Sequence, residues 1–207
     1  MANKPGYVFH LRGTSGSGKT YVANRLLGTS GAEPYAISKP GKVSIYRGLF
    51  CGRHLYILGD YSPERSAGGC DTIPTINEVI ELTTSLERQI KDGSNLFLEG
   101  LLLAHSWGAF GEYAHETFGN RYLNMFLDTP LERCISRVTK RRQAKGTGTA
   151  LDPARLEKIQ GNIEADYHRV ELCHARVVAR GGVRIDIRHQ GAPDNTLAIM
   201  RRYIHGV

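Results

Sequence analysis

The octapeptide Gly13-Thr14-Ser15-Gly16-Ser17-Gly18-Lys19-Thr20 satisfies GxxxxGK[ST] at every fixed position, the Walker A or phosphate-loop (P-loop) pattern. Its chemistry follows from the residue types. The glycines let the backbone curl until successive N–H groups face one centre, and a helix starting at Lys19 adds its partial positive charge there. The Lys19 ammonium can neutralise the outer phosphates of a nucleoside triphosphate, while the Thr20 hydroxyl can hold magnesium. Gly13, Ser15, Gly16, Ser17, Gly18, Lys19 and Thr20 are therefore the expected ligands of ATP or GTP. GTPases read guanine with an [NT]KxD sequence, and none exists here, because Lys140 is followed by Arg141 and Arg142.

Phosphoryl transfer to an alcohol needs one carboxylate to accept the hydroxyl proton and commonly another for the magnesium water shell. Three carboxylates stand at the ends of apolar runs or in the loop beyond one, where ligands of an open α/β sheet bind. Asp60 closes LYILGDY, Asp71 follows Gly68-Gly69-Cys70, and Glu99 closes NLFLEG. The two glycines allow close backbone approach to a substrate, which makes Asp71 the first choice for substrate binder or base; the alternative is an Asx turn. Glu99 reads as magnesium shell or base, against a helix cap or ion pair. Asp60 is either a site carboxylate or a surface turn residue. The histidines form no HxxH or HExxH cluster, so a protein-built metal centre is not expected, and His10 reads as a core residue. Trp107 and Tyr61 could stack on a base, although lone aromatics more often serve as packing.

These residues need elements to carry them. Apolar runs alternate with helical patterns along the chain, which is the mark of βα units and a parallel sheet. Tyr7 to Arg12 reads as a first strand, followed by the P-loop and a helix from about Lys19 to Leu27 that stops at Gly28. Two β-rich runs, VSIY and HLYILGDY, lie between Val43 and Tyr61 as a hairpin or a short detour. Thr75 and Glu78 form a capping box for a helix that ends at Asp92-Gly93, and Asn95 to Leu98 is the next strand. Tyr122 to Leu127 is another strand, and Thr129, Pro130 and Glu132 supply cap, N1 proline and N3 carboxylate for a helix carrying Arg133, Arg137, Arg141 and Arg142. Gly146 to Thr149 break it, Asp152-Pro153 start a long helix to about Ala179, Val183 to Ile187 is a last strand, and a terminal helix runs from Asp194 to about Ile204. The expectation is an α/β P-loop NTPase with a doubly wound, mainly parallel, five-stranded sheet and helices on both faces, in a single domain over residues 1–207.

The 207 residues are 41% hydrophobic and 23% charged, an ordinary globular composition that excludes disordered, collagenous and coiled-coil classes. Lys plus Arg is 27 against 20 for Asp plus Glu, so the net charge of +7 attracts phosphate-bearing partners. The four cysteines form no CxxC pair, no basic-then-apolar leader is visible, and the longest apolar stretches are too short to span a bilayer. A reduced cytosolic compartment is expected, with no membrane and no obligate protein partner.

Strand, P-loop, helix, substrate loop and a late arginine-rich helix with a Gly/Thr break resemble the nucleoside and nucleotide kinases among P-loop proteins, over essentially the whole chain. In that group a lid with arginines closes over the transferred phosphoryl; the matching segment is about 133–150, with Arg137, Arg141 and Arg142 as candidates, and Glu99 matches a strand-end carboxylate. YVFHLRGTSGSGKT, GGCDTIPTINEV and NLFLEGLLL together look like a bacteriophage-encoded kinase family that includes the 5-hydroxymethyluracil DNA kinases. That resemblance implies ATP and Mg2+ as cofactors, a hydroxymethyl group on a DNA base as acceptor, DNA as partner and the host cytoplasm as location. Other acceptors consistent with the residues are small nucleotides or nucleosides and polynucleotide 5′-hydroxyls.

Overall fold

The computed structural model describes residues 4–39, 42–62, 68–145, 152–180 and 192–206. Six strands form one sheet: β1 (Val8–Arg12), β2 (Glu33–Lys39), β3 (Lys42–Phe50), β4 (Arg53–Leu58), β5 (Asn95–Glu99) and β6 (Tyr122–Phe126), in the order β2-β3-β4-β5-β1-β6. β4, β5, β1 and β6 run parallel, and β2 and β3 add an antiparallel edge. β1, β5 and β6 are buried throughout, which explains their unbroken apolar character: strands covered on both faces do not alternate with polar residues.

Period-two alternation splits the core into two layers. Phe9, Leu11, Phe97, Leu123 and Met125 face α1 (Lys19–Ser30) and α8 (Ala192–His205), which contribute Val22, Leu26, Leu197, Met200 and Ile204. Val8, Leu96, Leu98, Tyr122 and Phe126 face α2 (Ile76–Ser85), α3 (Glu87–Lys91), α4 (Leu101–Ala104), α5 (Gly108–Phe118) and α7 (Pro153–Ala179). Each large apolar side chain so buried contributes roughly 1.5–3 kcal/mol. A small third cluster, Cys134, Val138, Ile159 and Ile163, joins α6 (Leu131–Lys145) to α7.

Two caps read from the sequence are present: Thr75 Oγ1 accepts from Glu78 N at 3.1 Å, and Asp152 Oδ1 accepts from Arg155 N at 2.9 Å. Several expectations are corrected. The sheet has six strands rather than five among the described residues, because Glu33–Lys39, with a proline and few apolar residues, pairs as an edge strand. α1 runs past Gly28 and ends at Gly31, whose φ of 56° makes it the left-handed cap. The helix after Thr75 is divided at Leu86 into α2 and α3. The expected break at 146–149 and strand at 183–187 lie outside the described residues. No helix among the described residues is long and apolar enough to cross a membrane.

Candidate active site

The P-loop leaves β1 and turns into α1, and α6 clasps it from the side. Gly16 has φ +83°, and a Cβ there would stand 2.5 Å from the Cys134 carbonyl, so the loop can rest on the first turn of α6 only as glycine. Thr129 Oγ1 donates to Ser17 O at 2.9 Å and so ties down the loop rather than capping α6, whose first amides donate to Pro130 O. One turn along α6, Arg137 Nη1 donates to Gly16 O at 3.2 Å and to Ser17 O at 3.4 Å. Lys19 Nζ donates to Gly13 O at 2.6 Å and Thr14 O at 3.1 Å. Burial lowers the Lys19 pKa, while the nearby charges of Glu99 and Asp71 oppose that shift. Thr14 Oγ1 and Ser17 Oγ are buried in the loop without a protein partner. Two unspent hydroxyl donors in a cradle that also holds an ammonium fit a bound polyphosphate.

Glu99 sits at the carboxyl end of β5, in register with Leu11 of β1, and accepts from Thr20 Oγ1 at 3.3 Å. Burial raises its pKa to about 7, with Lys19 opposing and Asp71 adding to the shift. The buried Tyr61 phenol is pushed well up, first by burial and then by the charge of Glu99. Gly69, at φ +68°, packs so closely that a Cβ would lie 2.5 Å from Glu99 Oε1. A hydroxyl and one carboxylate suit magnesium, which keeps several waters and takes few protein oxygens. Among the described residues no group of three or more His, Cys, Asp or Glu side chains that could hold a metal ion occurs.

Asp71 lies in a 3-10 turn, Cys70–Thr72, and is exposed; its Oδ2 accepts from Leu101 N at 2.8 Å and its Oδ1 from Leu102 N at 3.0 Å. It caps α4, immediately after Glu99-Gly100, rather than closing an Asx turn. Asp60 is fully buried, not on the surface: its Oδ1 accepts from Ser62 N at 3.0 Å and Ser62 Oγ at 2.6 Å, and its amide donates to Thr72 Oγ1 at 2.9 Å. Asp60 thus binds the end of β4 to the turn that carries Asp71.

A cavity of about 340 Å3 opens beside the P-loop, lined by Ser15, Leu101, Arg142, Asn162, Asp166 and Arg169 among others. Arg142 lines the cavity and Arg141 does not, although both are exposed on α6. Asn162, Asp166 and Arg169 escaped sequence reading. Their signal is a polar stripe at i, i+4 and i+7 on α7, which looks like any solvated helix face until α6 packs beside it. Arg169 Nη1 and Asp166 Oδ1 stand 3.3 Å apart. His10 and Trp107 are core residues, the former with Nδ1 2.7 Å from Tyr122 OH.

A cradle suited to a polyphosphate, a buried carboxylate against Thr20 and a neighbouring cavity lined by Arg142 and Arg169 suit transfer of a phosphoryl group, and the fold and site together define a P-loop phosphotransferase. The chain belongs to the 5-hmdU DNA kinase family, whose model matches residues 2–184. Similar relatives include the 5-hmdU DNA kinase of Pseudomonas phage PaMx11, 34% identical over 143 residues that cover 67% of this chain and 70% of the relative. That of Pseudomonas phage M6 is 27% identical over 195 residues, 92% of this chain and 96% of the relative. The 5-hmdU DNA kinase 1 of Salmonella phage ViI is 23% identical over 186 residues, covering 87% and 80%. Among solved structures, a gluconokinase from Sinorhizobium meliloti 1021 aligns with TM-score 0.48 and 13% identity over 99% of this chain and 96% of that one.

Proposed function

We propose that the protein transfers the γ-phosphoryl group of ATP to the hydroxymethyl oxygen of 5-hydroxymethyluracil in phage DNA, working as one kinase domain in the host cytoplasm. The observation that carries this reading is the family match over residues 2–184, which spans every site residue from the P-loop to Arg169. The acceptor hydroxyl oxygen attacks the γ-phosphorus, the bond to the β,γ-bridging oxygen breaks, and ADP leaves. Backbone amides of Gly13 to Gly18, the Thr14 and Ser17 hydroxyls and Lys19 hold the phosphates. Thr20, with Glu99 behind it, would hold magnesium, which when bound would supply positive charge to neutralise the phosphates.

Asp71 is the exposed carboxylate at the site, so it is the residue that receives the acceptor proton; Glu99, buried against Thr20, would serve the water shell of a bound magnesium. Asp60 positions the Asp71 turn. Arg137 and Arg142, within the lid segment 133–150, stabilise the charge of a loose transition state. Arg141 docks the DNA backbone, which the net charge of +7 favours. The test is γ-labelled ATP offered in parallel to 5-hydroxymethyluracil DNA, thymine DNA and free nucleotides. Label is expected on the first alone; label on free nucleotides would replace the DNA acceptor with a small molecule while sparing the kinase assignment.

A further inference from the structure

Arg12 ends β1 directly before the P-loop, and its side chain is fully buried. A guanidinium out of water is expensive unless all its donors are used. Here each of the three nitrogens donates, and the acceptors lie on three segments remote in sequence. Nη1 donates to Leu103 O at 2.6 Å and to Ser106 O at 3.1 Å, at the exit of α4. Nε donates to Asn124 Oδ1 at 2.8 Å and Nη2 to Tyr122 OH at 3.0 Å, both on β6. Cys173 Sγ of α7 lies 3.2 Å from Nη1, and the rings of Trp107 and Phe126 stand 6.0 and 5.9 Å from the guanidinium carbon.

An apolar residue would fill this face at lower cost, so the charge calls for an explanation beyond packing. The segment it grips supplies one. α4 is a single turn that cannot hold itself, and it begins two residues after Glu99. Its first amides bind Asp71, its Leu101 lines the cavity beside Ser15, and its last carbonyls bind Arg12. We propose that Arg12 is a positioning residue for phosphoryl transfer, holding the Leu101–Ser106 segment, and Asp71 with it, at a fixed place against the P-loop. The guanidinium fork is needed because its donors point to three elements at once; one ammonium on a flexible stem cannot reach them all. This deepens the kinase reading above and rests on it.

The test compares Arg12→Lys and Tyr122→Phe with the wild-type protein, well below the melting temperature of each. ATP affinity is read by equilibrium binding, kcat with saturating ATP and 5-hydroxymethyluracil DNA, and backbone amide exchange over Leu101–Ser106. Arg12→Lys is expected to bind ATP within about twofold of wild type, to lose about 30-fold in kcat and to exchange Leu101 and Leu102 amides faster. Tyr122→Phe, which removes the acceptor of Nη2 and also the hydroxyl beside His10 Nδ1, should lose about threefold in kcat with unchanged ATP affinity. Folded variants with wild-type kcat and exchange would overturn the proposal, as would ATP affinity falling in step with kcat, which would make Arg12 a prop of the P-loop alone. If Arg12→Lys does not fold, Tyr122→Phe decides: a lower melting temperature with unchanged kcat overturns it. Lack of transfer by the wild type would refute the kinase reading instead, and amide exchange at Leu101 and Leu102 would still judge Arg12.

Discussion

The donor side and the acceptor side of this site are built by different means. On the donor side, eight consecutive residues present amides, an ammonium and hydroxyls to one centre, and α6 holds them through contacts to the loop backbone. Around the rest of the site the groups come from several elements: Asp60 from the end of β4, Asp71 from a turn, Arg142 from α6, and Asp166 and Arg169 from α7. Those groups are placed by side-chain contacts across the fold. The first arrangement depends on the motif and on the few α6 contacts that hold it, whereas the second depends on packing across the whole fold and can be loosened at a distance.

The largest effect is expected in the loop. Lys19→Ala should lower phosphoryl transfer by about 10²–10³-fold, on the order of 3–4 kcal/mol of transition-state stabilisation, with little change in melting temperature. A variant with near wild-type turnover would remove Lys19 from the phosphates. On the acceptor side, Asp71→Asn keeps the shape and one capping oxygen but loses the proton acceptor. Transfer should fall about 10²-fold while ATP binding stays within about twofold. An equal loss of ATP affinity would assign Asp71 to the fold rather than to the reaction.

Glu99→Gln separates activity from stability. The folded-state pKa of Glu99 is about 7, above its ordinary value of 4.5, so the native state binds the proton more tightly. Its contribution is therefore fully present below pH 4.5 and is lost as pH rises through 7. At pH 8 in metal-free buffer, the glutamine variant should be more stable than wild type by about 2–3 kcal/mol, yet slower in transfer by about 10–100-fold. Parallel stability curves for the two proteins between pH 5 and 8 would contradict the burial argument.

The arginines of α6 give the finest contrast. Arg137→Ala, which removes a contact to the loop, should cost about tenfold in kcat, whereas Arg141→Ala should stay within about twofold and show its effect in the salt dependence of DNA binding. Equal effects would merge the two into one docking face.

The same contrast explains what could be read from the chain. Local motifs were legible: the P-loop with its strand and helix, the Thr75 and Asp152 caps, and the four parallel strands, because each is specified by neighbouring residues. Glu99 was found because it ends an apolar run. β2 was missed, since an edge strand needs little apolar character, and the helix split at Leu86 has no proline or glycine to announce it. Asp71 was legible as a candidate but not as the cap of α4, because its partners Leu101 and Leu102 lie thirty residues on. Asn162, Asp166 and Arg169 were invisible for the same reason: only the packing of α7 against α6 gives their stripe a direction. Arg12, reading as the last residue of an apolar strand, gave no hint that its charge is buried.

The proposed reaction moves one phosphoryl group from ATP to a base hydroxymethyl within DNA. Its most direct test uses γ-labelled ATP, duplex DNA containing 5-hydroxymethyluracil and blocked 5′ ends, followed by digestion to single nucleosides. Label is expected on the 5-hydroxymethyl oxygen of internal nucleosides and none on thymidine. Label that requires free 5′ ends, or that leaves the DNA unmodified and appears on free nucleotides, would contradict it.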